Sequence, residues 1–149
     1  MYEFLKSLNL NLLKKQPEML LKNILPELLM DLYYPSESDE PIEVFSLEES
    51  RDLPIIANDF KTLLKREEGS TIEPLDIEQF WNSVTEINDW YGEEQIAKTK
   101  QFEKLKNTLF EHLGNVQGFR VGEVEIDVYL FGSNSDGAIE GIKTMLVET

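Results

Sequence analysis

At 149 residues, with 14 Lys and Arg against 29 Asp and Glu, the chain has the size of one domain and a formal charge of −15. That surplus repels nucleic-acid backbones and anionic lipid surfaces, which argues against direct binding to either. The absence of cysteine excludes disulfides, thiolate metal sites and a cysteine nucleophile, and suits the reducing cytoplasm that we take as the expected location.

In chain order, residues 1–33 read as helix. Met1, Leu5, Leu8 and Leu12 recur at intervals of three to four, and so do Leu21, Leu25, Leu28 and Leu32. Pro17 and Pro26, each tolerated in a first helical turn, divide the segment into two or three short helices. We assign residues 1–25 to a helical N-terminal extension of a single domain that spans 1–149. The leucine stripe is core, or else a self-association face on residues 1–33. No small-residue cleavage site follows it, and no apolar run reaches the roughly 20 residues of a membrane span.

Tyr34 to Pro41 is a polar turn-rich loop, and Ile42 to Ser46 reads as a strand. Leu53 to Lys65 is expected to be helical, with Asp52 as cap and Pro54 in the first turn. Arg66 to Ser70 is a charged loop and Thr71 to Leu75 a short strand. Asp76 caps a helix that carries Phe80, Trp81 and Val84. After the loop Asn88 to Gly92 comes the clearest helix, Glu93 to Leu113, with Ile96, Thr99, Phe102, Leu105 and Leu109 on one face and Gly114 at its stop.

The last third is strand. Gln117–Val121 comes first, then Val124 to Phe131 with strict alternation, then Ile139–Val147 after a turn. Short connections imply antiparallel pairing, and the helices before and between imply a layered α+β fold.

Three features invite a chemical reading. Glu123, Glu125 and Asp127, spaced i, i+2 and i+4, would share one strand face, where neighbouring carboxylates bind a hard metal or divide acid and base roles. The simpler reading is an outward solvated face. His112, the only histidine, falls where a cation suits a helix C-terminus, and no second His stands ready for a triad. Trp90 and Tyr91 lie in a polar loop, either as a plug over the core or as an interface anchor. No glycine-rich phosphate loop joins a strand to a helix. Residues 1–35 carry four lysines against four acids, so the whole of the −15 lies in residues 36–149. Such a field keeps a protein dispersed, and it also attracts a basic partner.

Four stretches resemble the nuclease A inhibitor family: Ser-Glu-Ser-Asp-Glu-Pro-Ile-Glu-Val-Phe at 36–45, Asp76 to Trp81 with Asn-Asp-Trp-Tyr at 88–91, Val-Gly-Glu-Val-Glu-Ile-Asp-Val-Tyr at 121–129, and Val-Glu-Thr at 147–149. The resemblance implies a three-layer α/β/α sandwich with a largely antiparallel central sheet. It implies a protein inhibitor, not an enzyme, without cofactor or metal of its own. The implied partner is a Mg²⁺-dependent, sugar-nonspecific nuclease whose basic active-site cleft is occluded. It carries to Thr149 a hydroxyl contact with the nuclease's metal, and to Glu37, Asp89 and Trp90 an interface role. The alternatives are a metal-dependent hydrolase using the strand carboxylates and a helix-mediated oligomeric binding protein.

Overall fold

The computed structural model describes residues 20–48, 51–65 and 70–149. The stripe through Met1 and Leu12, Pro17 and the loop at 66–69 lie outside the described residues. Those that are described form a mixed α+β structure with four helices, a five-stranded antiparallel sheet and a two-stranded ribbon. The helices are α1 (Leu21–Leu28), α2 (Ala57–Leu63), α3 (Ile77–Thr85) and α4 (Glu93–His112). The strands are β1 (Tyr33–Tyr34), β2 (Glu40–Pro41), β3 (Glu43–Leu47), β4 (Ile72–Pro74), β5 (Gly114–Val121), β6 (Glu125–Ser133) and β7 (Ile139–Val147). The large sheet runs β3-β7-β6-β5-β4, and β1 pairs with β2.

Both faces of β6 are buried. Ile126, Val128 and Leu130 join one core with Leu21, Leu25 and Leu28 of α1, Phe80, Trp81 and Val84 of α3, and Phe102, Leu105 and Leu109 of α4. Tyr129 and Phe131 join a second core with Phe119, Val121, Ile139 and Phe60 of α2. There Phe60 is fully buried and stacks on Phe119 at 4.8 Å and Phe131 at 4.9 Å between ring centroids. Pairs of this kind contribute about 0.5–1.5 kcal/mol each beyond the area they remove from water. The alternation in β6 therefore separates two apolar sets rather than an apolar from a polar one.

Leu21, Leu25, Leu28 and Leu32 are all buried in this chain's own core, so that stripe is not a surface for a second copy. The boundary drawn at residue 25 falls inside α1, whose Leu21 and Leu25 are 2% and 0% exposed. Pro26 lies within this helix and not in its first turn. It faces solvent, and its missing N–H costs a single bond in a helix this short. Side chains of α4 satisfy carbonyls around the end of α1. Gln101 Nε2 donates to Leu28 O at 3.2 Å and Met30 O at 3.1 Å, and Lys98 Nζ donates to Asp31 O at 2.6 Å.

Two further boundaries differ from expectation. The helix expected from Leu53 starts only at Ala57. The side-chain amide of Gln117 holds the preceding backbone extended: Ile55 N–H donates to Gln117 Oε1 at 2.7 Å, and Gln117 Nε2 donates to Ile55 O at 3.0 Å. The long helix does not stop on a left-handed glycine. Leu113 is extended, β5 begins at Gly114, and the left-handed residue is Asn115. Asp76, by contrast, caps α3 as expected, its Oδ1 accepting from Gln79 N–H at 3.0 Å. No helix among the described residues is long and apolar enough to cross a membrane.

Candidate functional site

The polar loop at 35–39 is tied down at both ends. Pairing of Tyr33 with Pro41 and Tyr34 with Glu40 closes its base. Tyr34 is buried, stacks on Phe80 at 4.4 Å with its ring 5° from parallel, and donates its hydroxyl to Phe80 O at 2.6 Å. Burial raises the Tyr34 phenol above its ordinary value, with Ser83 pulling weakly the other way. Inside the loop, Ser36 Oγ donates to Ser38 O at 2.7 Å and Ser38 Oγ donates to Glu40 Oε1 at 2.8 Å. Short polar side chains bonding the backbone two residues away are what a tight turn uses to hold its shape.

This loop lies alongside the end of β7. Val147 N–H donates to Ser36 Oγ at 3.0 Å, and Glu37 N–H donates to Val147 O at 3.3 Å. Beyond β7, Glu148 N–H donates to Val124 O at 2.9 Å, and its carboxylate pairs with Arg120 at 2.5 Å. Thr149 then donates its hydroxyl to Glu37, with Oγ1 at 2.8 Å from each carboxylate oxygen. Two of the residues singled out from the sequence, 112 positions apart, are thus in direct contact. Both are exposed.

The Asp-Trp-Tyr loop borders the same surface. Tyr91 N–H donates to Asn88 O at 3.0 Å, which turns the chain, and Gly92 N–H donates to Gln95 Oε1 at 2.9 Å as α4 begins. Trp90 is 75% exposed, its indole perpendicular to Tyr91 at 4.7 Å. A ring so exposed does not seal the core. Asp89 is exposed beside it. One shallow concavity of about 350 Å³ is bordered by Glu37, Val147, Glu148 and Arg120, another of about 500 Å³ by Trp90, Tyr91 and Glu94. Pro35 and Ser83 border both, so the two loops belong to one continuous face.

The strand carboxylates are not gathered in the way their spacing suggests. Gly122 adopts φ +118°, where a Cβ would lie 2.3 Å from Glu125 O, and the chain turns there. Glu123 is therefore in a turn, accepting from Thr71 Oγ1 at 3.1 Å, and β6 begins only at Glu125. Glu125 and Asp127 share the parity of Tyr129 and Phe131, so their face is polar at one end and buried under α2 at the other. Among the described residues no group of three or more Asp, Glu or His is placed to hold a metal ion. His112 is half-buried with Nδ1 2.9 Å from Thr108 O, within its own helix.

Sequence reasoning overlooked Tyr34, Ser36 and Arg120. The first two carried a local signal, since a residue before proline is driven to extended backbone and Ser-x-Ser favours a side-chain-closed turn. Arg120 carried none, because its partner Glu148 is 28 positions away.

An acidic α+β chain with one face built from a braced loop, a strand end and an exposed tryptophan has the makings of a protein-binding module. Over residues 20–149 the sequence matches the family model for nuclease A inhibitor-like protein, and the chain belongs to that family. A comparison with curated proteins gave no match.

Proposed function

We propose that this protein is a non-enzymatic inhibitor that occludes the active site of a Mg²⁺-dependent, sugar-nonspecific nuclease. The observation that carries the reading is the contact between Thr149 and Glu37 at the edge of a face that also presents Trp90. Family membership supplies the class of partner. Mg²⁺ takes oxygen ligands and keeps exchangeable waters, so a threonine hydroxyl suits the role of replacing one. Glu37 and Asp89 are exposed carboxylates where a nuclease would place the cations that grip phosphate. Trp90 supplies apolar area next to them, the residue type that dominates binding energy at interfaces. The charge of −15 steers the molecule toward a basic cleft. The two cores on opposite faces of β6 support a three-layer α/β/α arrangement, and the absence of cysteine suits a cytoplasmic setting.

The test is to titrate the protein into a purified Mg²⁺-dependent nuclease that cuts DNA and RNA alike, and to follow both digestions. An occluded cleft cannot tell one sugar from the other, so both rates fall together. Loss of only one activity, or of neither, removes the reading.

A further inference from the structure

We propose that the turn between β5 and β6, residues 122–125, is a further contact with the nuclease, in which Val124 lodges in an apolar recess at the basic rim of the cleft. The proposal rests on the inhibitor reading above, and it adds a flank that neither the loop at 35–39 nor the loop at 88–92 supplies. Val124 is 52% exposed. Turns ordinarily take Gly, Asn, Asp, Ser or Pro, whose conformations and side-chain hydrogen bonds suit the bend. A β-branched apolar residue there does nothing to stabilise the turn and leaves a large apolar surface in water. Positions where the residue runs against its local structure in this way are where functional sites concentrate.

The turn stands beside the chain end. Glu125 is the register partner of Val147, and Glu148 N–H donates to Val124 O at 2.9 Å. Ser36 and Glu37 lie on the other side, bonded to the backbone of Val147. Strands sit roughly 4.8 Å apart, so Val124 is about one strand's width from residues 148–149, on the side away from Glu37. Trp90 lies past the loop at 35–39, so an apolar side chain stands on each flank of the chain end.

The turn is also held. Gly122 N–H donates to Thr71 O at 2.9 Å, and Thr71 Oγ1 donates to Glu123 at 3.1 Å. With the bond from Glu148, this fastens the turn on both sides, so little freedom is left to lose on docking. Glu123 and Glu125 flank Val124 and are exposed. An apolar tip between two carboxylates fits an apolar recess in a basic surface. The same turn on a second copy would set four carboxylates against one another.

The experiment compares Val124→Ala and Val124→Lys with the wild type and with Ile56→Ala. Ile56 is 64% exposed and follows Ile55, which Gln117 holds toward the far end of β6, opposite Phe131. Inhibition of, and binding to, a purified Mg²⁺-dependent, sugar-nonspecific nuclease are measured, with the Tm and sedimentation of the free proteins. Methyl cross-saturation is recorded from unlabelled nuclease to deuterated, valine-methyl-labelled inhibitor. Val124→Ala removes two half-exposed methyl carbons and raises Kd about fourfold or more, chiefly through faster dissociation. Val124→Lys raises it further by setting a cation against the basic rim. Both keep the wild-type Tm, Ile56→Ala binds as the wild type does, and the Val124 methyls lose intensity in the complex. Val124 variants that bind at wild-type strength, Val124 methyls that keep their intensity, or a Tm that falls in step with binding would each overturn the proposal and leave the inhibitor reading standing. A wild-type dimer that Val124→Lys dissolves would assign the turn to a second copy and overturn it too. A wild-type protein that does not inhibit overturns both.

Discussion

Replacing Trp90 by alanine separates a binding role from a folding role, and the two tryptophans of this chain allow an internal comparison. Trp90 is 75% exposed, so the folded state removes only a quarter of its surface from water. Taking roughly 250 Å² for a whole tryptophan and about 25 cal/mol per Å² gives an upper bound near 1.5 kcal/mol for its contribution to stability. For a domain of this size that corresponds to a fall in Tm of roughly 3–6 °C at most. Trp81 is 1% exposed in the core between α3, α4 and the sheet, and its truncation costs about 3–5 kcal/mol. Binding reverses the order of importance. If Trp90 is a central anchor, Trp90→Ala weakens association with the nuclease by about 2 kcal/mol or more, close to thirtyfold in Kd. Melting curves on the free variants and titration calorimetry on the complexes give the four numbers. A Tm for Trp90→Ala as low as that for Trp81→Ala would show that the indole supports the fold. An unchanged Kd would remove Trp90 from the interface.

Three other outcomes follow from the same geometry. The association rate with a basic nuclease falls steeply between 50 mM and 500 mM salt, about the range over which screening shortens to a few ångströms, and a flat stopped-flow profile would exclude steering by the −15 charge. Tyr34 has its phenol pKa raised by burial, so the stability it brings is complete below pH 10 and is lost as pH climbs through the raised value. Tyr34→Phe therefore costs about 1 kcal/mol at neutral pH, from the bond to Phe80 O, and makes the alkaline loss of stability shallower in urea titrations; superimposable alkaline profiles would refute this. A folded domain fused directly after Thr149 leaves Tm unchanged, since Thr149 is exposed, yet abolishes inhibition, and full inhibition by the fusion would show that this end of the chain stays outside the cleft.

What could be read in advance was what depends on neighbours along the chain. The period of two through Val124 to Phe131, the face of α4 from Thr99 to Leu109 and the cap at Asp76 are local patterns, and all three are present. The alternation could not tell that the set ending in Tyr129 and Phe131 is buried too, because its cover, Phe60, lies near the middle of the chain. Residues 53–56 stay out of the helix because an amide 62 positions away holds Ile55. Glu37 and Thr149 were picked out one by one through resemblance; their contact depends on β7 running beside a loop more than a hundred residues earlier, which no local spacing encodes. Glu123, Glu125 and Asp127 failed as a set for a similar reason, since a single left-handed glycine at 122 moved the first of them off the strand.

The two outermost strands of the large sheet bear on how the molecule meets other chains. An unpaired strand margin is a standing invitation to any extended peptide. At one margin β4 is only three residues long and ends in Pro74, which has no N–H to offer. At the other, β3 is only five residues long, opens with the exposed Glu43, and pairs with β7 at every position from Glu43 to Leu47. Neither gives a guest strand much length to zip along. Recruitment by strand addition is thereby discouraged at both sides, and so is edge-to-edge stacking of one copy on the next.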